Sequence, residues 1–257
     1  MLEFSMQNFQ LNNKVAIITG GASGLGRYYS LALSTAGANL FVVSRTEKGW
    51  ADLKAQVAKH NSKVVFMKKD VTEKGAAKEI VAQAINAYGR IDILINNAGI
   101  NLRHKLLDFP DKDWQAVIDL NLNSVYYLSH EVAKKMVKQK SGKIINVGSM
   151  LSYRAGKFIF PYTASKHGVL GLTRAYADAL AADNIQVNGI APGYINTPMT
   201  KPLQEDPVRS VEIKNHIPAG HWADPTELMG TIVFLASDAS NYLNGVMLPV
   251  DGGYLLR

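Results

Sequence analysis

Seven short runs rich in Val and Ile recur along the chain, separated by longer segments with the period of amphipathic helices. Most runs are apolar on both faces, as strands are when helices cover both sides of a parallel sheet. Strands that alternate with helices predict an α/β fold: a doubly wound parallel sheet of about seven strands with helices on both faces. The predicted strands are residues 14–18, 39–43, 63–67, 91–95, 143–147, 185–190 and 245–250, and the predicted helices are residues 25–37, 48–59, 74–88, 113–138, 162–182 and 225–236.

The length of 257 residues fits one domain, and no linker rich in Pro, Gly or Ser divides the chain. One stretch interrupts the alternation, because it contains several prolines and has little strand character. A long irregular segment after the carboxyl end of a strand is typical of a lid over a site, although an irregular surface loop is the alternative. We therefore expect a single domain over residues 1–257, with a substrate lid at about 194–223.

A glycine-rich turn, Thr19-Gly20-Gly21-Ala22-Ser23-Gly24-Leu25-Gly26, joins the first predicted strand to the first predicted helix. Glycines here allow a tight turn and let the backbone approach a pyrophosphate, which the start of the helix stabilises. The spacing T-G-x-x-x-G-x-G differs from G-x-G-x-x-G, and such a turn can be purely structural. Its position after the first strand favours nucleotide binding, with these candidates: Gly20, Ser23, Gly24, Leu25 and Gly26.

The end of the second predicted strand bears on which dinucleotide is bound. A carboxylate there suits the ribose 2′-hydroxyl of NAD(H), whereas an arginine suits the 2′-phosphate of NADP(H). This strand ends in Ser44-Arg45, with no acid. A guanidinium binds phosphate through two hydrogen bonds and Ser44 adds a hydroxyl, so the sequence favours NADP(H) over NAD(H). The alternative is that Arg45 is only a solvated charge at the start of a helix.

The next two strand ends belong to the same predicted crevice, since the carboxyl ends of parallel strands meet at one edge of a sheet. Asp70-Val71 closes the third strand, and Asn97-Ala98-Gly99 follows the fourth. Asp70 is placed to accept a hydrogen bond from an adenine amino group, and the small Ala98 and Gly99 would let a cofactor lie against the backbone. Each of these residues taken singly can be an ordinary cap or turn residue; their shared position is the argument.

A catalytic pair is predicted after the fifth strand, which ends in Gly148-Ser149. Tyr162 and Lys166 begin the next helix, and their i, i+4 spacing places phenol and ammonium on one helical face. A buried cation beside a phenol favours the phenolate and lowers its pKa from about 10. A general acid/base for alcohol–ketone chemistry needs such a group. The pair alone is usually a surface contact, but the glycine turn and Ser149 favour catalysis.

From Lys14 to Tyr254 the chain resembles the short-chain dehydrogenase/reductase family. The resemblance implies a Rossmann fold and an active NAD(P)-dependent oxidoreductase acting on CH–OH groups. It rests on these motifs: Thr19-Gly20, Gly24-Leu25-Gly26, Asn96-Asn97-Ala98-Gly99, Asn121, Ser149, Tyr162, Lys166, Pro192-Gly193 and Asp251-Gly252-Gly253.

The same resemblance implies roles for individual residues. Tyr162 would donate or accept the proton, Ser149 would orient the substrate oxygen, and Lys166 would hold the ribose and tune Tyr162. Asn121 would hold a water that links Lys166 to solvent. After Pro192-Gly193, Ile195 would bind the nicotinamide carboxamide through its backbone, with Thr197 nearby. The cofactor transfers the hydride, so no metal is expected.

Within that family the chain looks like the branch that acts on sugar acids, which includes gluconate 5-dehydrogenases and 2-deoxy-D-gluconate 3-dehydrogenases. The similar segments are residues 96–104, 149–152, 190–194 and 217–222. The chain differs from that branch at three places. Leu102 and His221 stand where Arg is frequent, and Ser44-Arg45 replaces the acidic or neutral end that suits NAD(H). Arg103 and Arg154 follow different strands and can converge on a substrate carboxylate near Tyr194, whereas each alone can be a solvated charge. Ser149 and Tyr162 would contact the reacting oxygen.

The leading hypothesis is therefore hydride transfer between a nicotinamide cofactor and a secondary alcohol or ketone of a sugar acid, of the gluconate or 2-keto-3-deoxygluconate type. One alternative is a broader ketoreductase that acts on 3-oxoacyl, neutral ketone or polyol substrates. Another is a non-catalytic regulator that senses NADP(H), although such a protein does not need the Tyr162 and Lys166 that this chain retains.

Charge and composition restrict the partners. The formal charge of +7 indicates anionic partners, but no helix-turn-helix, RNA-binding sheet motif or basic arm is present, so nucleic acid is not expected. The chain has no Cys, which excludes disulfides, thiolate metal sites and Cys nucleophiles. Residues 1–7 lack the pattern of a secretory signal and no run approaches a membrane span, so we expect a cytoplasmic protein without membrane contact.

Two predicted helices, residues 113–138 and 162–182, carry apolar residues beyond one core stripe. Pairing of such helices across a two-fold axis is one explanation, and the family it resembles is commonly tetrameric, so we expect a homotetramer. The alternative is that these residues only complete the internal core. They are Val125, Tyr126, Tyr127, Val169, Leu170 and Leu172.

Overall fold

One sheet of seven parallel strands forms the centre of the computed structural model, which describes residues 5–257. Residues 1–4, part of the segment predicted to lack a secretory signal, lie outside the described residues. The strand order is β3-β2-β1-β4-β5-β6-β7 and every pair is parallel, which confirms the predicted doubly wound sheet. The strands are β1 Val15–Thr19, β2 Asn39–Ser44, β3 Val64–Lys68, β4 Ile93–Asn96, β5 Gly142–Val147, β6 Ile185–Pro192 and β7 Met247–Val250.

Helices cover both faces of the sheet. Successive strand residues point to opposite sides, and they are buried on both sides, so each face packs against helices. Ile18 belongs to the hydrophobic core on one face, with Tyr29 and Leu53, whereas Ile17 belongs to the core on the other face, with Ile80 and Leu128. The side chains of Ile17 and Ile18 are fully buried. In residues 5–257 the α-helices are α1 Gly24–Thr35, α2 Trp50–Val57, α3 Ala76–Tyr88, α4 Asp111–Ile118, α5 Ser124–Gln139, α6 Phe160–Leu180, α7 Lys201–Glu205, α8 Pro207–His216 and α9 Met229–Ala236.

The helix predicted over residues 113–138 is not continuous. α4 ends at Ile118, a π-helical segment follows over Asp119–Asn123, and α5 begins at Ser124. Inside the π segment, Asn121 exchanges two hydrogen bonds of 2.9 Å with the backbone of Ile100. These contacts connect the widened turn to the loop after β4, and π segments of this kind are frequent at functional sites.

The segment 194–223 is more regular than its prolines predict. It contains α7 and α8, so the expectation of an irregular segment is wrong. Pro202 and Pro207 lie in the first turns of these helices, where proline lacks no needed hydrogen bond. Asp206 caps α8 by accepting hydrogen bonds from the backbone of Val208 and Arg209. The prolines therefore begin helices instead of preventing them.

Candidate active site

The glycine turn between β1 and α1 has a backbone that larger residues could not adopt. Gly20 and Gly24 have φ angles of 65° and 52°, in the left-handed region that favours glycine. A Cβ atom on Gly26 would lie 2.2 Å from the carbonyl oxygen of Gly20. The first turn of α1 consequently packs directly behind the loop, with its free N–H groups at the carboxyl edge of the sheet.

The turn after β4 is fastened to the glycine turn. The backbone N–H groups of Asn97 and Ala98 both donate to Thr19 Oγ1 at 3.0 Å. The Asn97 side-chain amide donates to the Thr19 carbonyl at 2.9 Å. The two strand ends that border the crevice are therefore held in a fixed relation, as a rigid binding site requires.

Two cavities follow one another along this crevice and share Gly20, Ser23, Ala98 and Gly99. The first has a volume of about 360 Å³ and contains, besides these shared residues, four more predicted cofactor residues: Ser44, Arg45, Asp70 and Val71. The second has a volume of about 390 Å³ and brings together the other predicted residues of this edge: Gly24, Leu25, Asn97, Ser149, Tyr162, Lys166, Pro192, Gly193, Ile195 and Thr197. Gly26 lines neither cavity and acts from behind the loop.

The first cavity ends at the strand end of β2. The Arg45 guanidinium lies 4.0 Å from the Asp70 carboxylate and is 73% exposed. Burial alone would raise the pKa of Asp70, but hydrogen bonds from Thr72 and the charge of Arg45 lower it below its usual value. The Ser44 hydroxyl is buried and has no hydrogen-bond partner among residues 5–257.

The second cavity contains the Ser149, Tyr162 and Lys166 constellation. Ser149 lies close enough to Tyr162 to lower the pKa of its phenol, and Ser149 Oγ accepts a 3.2 Å hydrogen bond from the backbone of Leu151. The Lys166 ammonium lies 5.5 Å from the centroid of the Tyr162 ring and donates to the Val147 carbonyl at 2.6 Å. Strand β5 and helix α6 thus hold a hydroxyl, a phenol and an ammonium at one end of the crevice.

The pKa of Tyr162 differs from the sequence expectation. Burial raises it above its usual value, although the nearby Ser149 side chain and the charge of Arg103 both lower it. Burial also lowers the pKa of Lys166 to about 8. The expected lowering of the phenol pKa is therefore wrong, because desolvation outweighs the stabilisation of the phenolate.

Asn121 supports the site through hydrogen bonds to two neighbouring elements. Its side chain, besides bonding the Ile100 backbone, donates to Ser165 Oγ at 3.3 Å. Ser165 lies between Tyr162 and Lys166 on α6 and is fully buried. Asn121 therefore connects the loop after β4 to the helix that carries the phenol.

The substrate end brings together only some of the predicted residues. The positive charge of Arg103, which lines neither cavity, lowers the pKa of the Tyr162 phenol and of the Tyr194 phenol, although burial raises both above their usual value. Tyr194 packs edge-on against Trp222 and Tyr254, with ring centroids 5.0 and 5.2 Å apart.

Arg154 contacts this group only through the ring of Tyr254, and no contact joins it to Arg103, Tyr162 or Tyr194 among residues 5–257. Its guanidinium lies 4.9 Å from the centroid of the Tyr254 ring and 3.3 Å from His216 Nε2. Arg154 instead lines a separate open cavity with Tyr153, Pro249, Leu255 and Arg257.

Several side chains of the site had no signal strong enough for prediction. Lys48, Met199 and Thr200 line the second cavity. The charge of Arg209, on α8, acts on Arg103. Lys48 follows the predicted Arg45 by three residues, which could have drawn attention to it, whereas the position of Arg209 depends on how residues 194–223 fold.

Other kinds of site find no support in the part of the chain that the structure describes. Residues 5–257 contain no group of three His, Asp or Glu side chains placed to hold a metal ion. Within the same range, no helix is both long and apolar enough to cross a membrane.

The crevice fits a dinucleotide. The first cavity contains the Ser44 hydroxyl, which has no hydrogen-bond partner among residues 5–257. The second contains the hydroxyl, phenol and ammonium of the catalytic candidates, and the glycine turn borders both cavities. Such a fold and site define an oxidoreductase that works with a nicotinamide dinucleotide.

Comparison with known proteins specifies the family. Residues 14–208 match the family model described as short chain dehydrogenase. The chain therefore belongs to the short-chain dehydrogenase family of NAD(P)-dependent oxidoreductases.

Individual relatives are similar over nearly their full length. An uncharacterized oxidoreductase of Escherichia coli, YgcW, is 48% identical over 99% of this chain and 97% of its own. The 2-dehydro-3-deoxy-D-gluconate 5-dehydrogenase of E. coli is 43% identical over 97% of this chain and 98% of its own. A crystal structure of a gluconate 5-dehydrogenase from Burkholderia cenocepacia, in complex with NADP and tartrate, has a TM-score of 0.93 at 36% identity and covers 98% of both chains.

Proposed function

We propose that this protein transfers a hydride between NADP(H) and a secondary alcohol or ketone of a sugar acid, of the gluconate or 2-keto-3-deoxygluconate type. The observation that carries the substrate class is Arg103. Arg103 is exposed and lines neither cavity, but its charge acts on the Tyr162 phenol and it makes no ion pair or hydrogen bond within residues 5–257. An unpaired guanidinium beside the reacting group favours a substrate with a carboxylate. The named activities of the relatives support the same class.

The proton chemistry is assigned to Ser149 and Tyr162. The Tyr162 hydroxyl donates a proton to the ketone oxygen during reduction and accepts it from the alcohol during oxidation. Ser149 lies close to the phenol and is placed to hold the same substrate oxygen. The bound nicotinamide supplies or accepts the hydride.

Lys166 has two tasks in this proposal. Its buried ammonium, fixed by the Val147 carbonyl, holds the nicotinamide ribose. Its positive charge also favours the phenolate form of Tyr162.

The preference for NADP(H) rests on the end of β2. Arg45 and the unpartnered hydroxyl of Ser44 offer a cation and a hydrogen-bond donor to a 2′-phosphate. Asp70 comes from the neighbouring strand end and partly neutralises Arg45. The NADP in the B. cenocepacia structure supports this choice.

A homotetramer is the proposed assembly. Val125, Val169 and Leu170 are buried within the protomer, so they complete the internal core. Tyr126 and Tyr127 on α5, by contrast, are 41% and 59% exposed. Exposed aromatic side chains on one helix suit an interface with a second copy, and sedimentation velocity tests this assembly.

Initial rates test the substrate class. Wild-type protein with NADPH should reduce 5-ketogluconate and 2-keto-3-deoxygluconate in preference to a neutral ketose. Arg103→Met should remove that preference by raising KM for the acids about tenfold or more, since it loses a charge-assisted contact. Tyr162→Phe should lower kcat by about 10²–10⁴-fold on every substrate while NADP(H) binding is retained.

Other outcomes would identify an alternative function. Equal rates on acids and neutral ketones, unchanged in Arg103→Met, would contradict the sugar-acid class and favour the broader ketoreductase. NADP(H) binding without turnover of any ketone by the wild type would favour the regulator.

A further inference from the structure

The segment between β2 and α2, residues 45–49, arches over the glycine turn. Gly49 has a φ of 81°, and a Cβ atom there would lie 2.4 Å from the carbonyl oxygen of Ala22. An ion pair between Arg27 and Asp52 fastens α1 to α2 just beyond this contact. The β2–α2 arch is therefore pressed against the loop that borders both cavities.

The arch delivers its two basic side chains to different cavities. Arg45 lines the first cavity with Ser44 and Asp70. Lys48 lines the second cavity, whose wall there includes Ser23, Gly24 and Leu25. One arch thus places one cation at the β2 strand end and another at the start of α1.

Lys48 is free to bind a ligand. Its side chain is exposed, and it makes no ion pair or hydrogen bond with any residue between 5 and 257. The glycine turn itself contains no cation, and Arg27, the first one after it, is paired with Asp52. Of these nearby cations, only Lys48 both borders the turn and remains unpaired.

We propose that Lys48 binds the diphosphate of the dinucleotide, whereas Arg45 recognises the 2′-phosphate. The backbone N–H groups at the start of α1 provide partial positive charge for a diphosphate, and Lys48 adds a full charge from the opposite side. Lys48 is thus a residue for affinity common to both dinucleotides, and Arg45 is one for choosing between them. This inference rests on the cofactor part of the proposed function.

Binding measurements separate the two roles. Isothermal titration calorimetry gives dissociation constants for NADP⁺, NAD⁺ and adenosine 2′-monophosphate, which carries the 2′-phosphate but no 5′-phosphate. Lys48→Met should weaken NADP⁺ and NAD⁺ about tenfold each and leave the monophosphate nearly unchanged, as expected for one charge-assisted contact. Arg45→Met should weaken NADP⁺ and the monophosphate and spare NAD⁺.

Two controls accompany these variants. Lys54→Met removes an exposed lysine of α2 that lines neither cavity, so all three ligands should bind as to the wild type. Lys48→Arg keeps the charge and should restore most of the affinity. The effect of Lys48→Met should also shrink at high salt, because exposed charges are screened.

A Lys48→Met protein that binds NAD⁺ as tightly as the wild type would overturn the inference, as would a loss confined to ligands with a 2′-phosphate. Failure of the proposed function has a different signature. If the wild type binds both dinucleotides in the expected pattern but reduces no sugar acid, the substrate class is wrong and the role of Lys48 stands.

Discussion

Burial and charge act on the Tyr162 phenol in opposite directions. Burial raises its pKa, and the groups that lower it are Ser149 and Arg103. Arg103 is therefore placed to do more than hold a carboxylate, since its charge also favours the phenolate that oxidation of an alcohol requires. The proposed function therefore couples proton transfer and recognition of an acid through one guanidinium.

The pH dependence of alcohol oxidation should reveal this coupling. The reaction needs the phenolate, so its rate rises with pH through the apparent pKa of Tyr162. Loss of the positive charge in Arg103→Met should raise that pKa and move the rising limb of kcat to higher pH. The measurement is a pH profile of kcat at saturating sugar acid and NADP⁺.

Arg103→Lys serves as the matched control, because it keeps the charge and should keep the limb close to its wild-type position. A limb that stays in place in Arg103→Met would show that the guanidinium does not act on the phenol, even if KM for acids rises.

Which single residues could be predicted from the sequence depends on what fixes their position. Ser149, Tyr162 and Lys166 were predictable because a strand end and an i, i+4 spacing bring them to one place. Arg154 follows the same strand end as Ser149, but its side chain packs on the Tyr254 ring from the distant carboxyl terminus. No local pattern reports such a contact.

At the scale of elements, the junction of β1 and α1 depends on Gly26. A Cβ atom on Gly26 would lie 2.2 Å from the carbonyl oxygen of Gly20. Both groups belong to the backbone, so relieving the clash requires a shift of the helix or of the loop. Gly26→Ala should displace the loop, lower the free energy of unfolding by about 1–3 kcal/mol and weaken dinucleotide binding. Urea unfolding and calorimetry with NADP⁺ measure the two effects.

Gly230→Ala provides the comparison in another helix. Gly230 lies in α9, and a Cβ atom there would have no neighbouring atom within 4 Å. Alanine should therefore stabilise the protein by about 0.5–1 kcal/mol without changing dinucleotide binding. Equal effects of the two substitutions would contradict the argument that close approach, and not helix propensity, fixes Gly26.

Elements were predictable where hydrophobic periodicity determines them, as in the seven strands. The break between α4 and α5 was not, because Asn121 widens the turn through hydrogen bonds to a loop about 20 residues earlier in the chain. The helices α7 and α8 were missed for a different reason. Pro202 and Pro207 lie in the first turns of these helices, where a proline can mark either the end of a helix or the start of a new one.

At the scale of the whole molecule, the two ends of the sheet differ in their charge environment. Lys143 is the second residue of β5, at the amino-terminal edge of the sheet and away from the crevice, and it is 6% exposed. Its ammonium donates only to neutral oxygens, Asn241 Oδ1 at 2.8 Å and Ser240 Oγ at 3.3 Å. Burial lowers the pKa of Lys143 to about 8, from an ordinary value of 10.5.

A pKa that is lower in the folded state means that folding penalises the protonated lysine. The penalty is complete below about pH 8 and disappears as pH rises towards 10.5. The free energy of unfolding of the wild type, relative to Lys143→Met, should therefore increase between about pH 7 and about pH 9.5. Urea unfolding of both proteins at the two pH values checks this.

Lys138→Met is the control, since Lys138 is an exposed lysine near the end of α5. Its difference from the wild type should stay nearly constant over the same range. A constant difference for Lys143→Met as well would show that water reaches the ammonium and that burial does not govern its charge.

The division of the crevice into two cavities has a consequence for how such a protein can change. The nucleotide end is built mainly from residues 44–46 and the end of β3, whereas the reacting end is built from β5, α6 and residues 192–200, with Lys48 of the arch at its border. Only a few small residues border both. Mutations that exchange one dinucleotide for the other can therefore accumulate without disturbing the choice of alcohol, and new substrates can be acquired without rebuilding the nucleotide end. An engineer could graft residues 44–46 from a relative and leave Lys48 and residues 194–223 untouched.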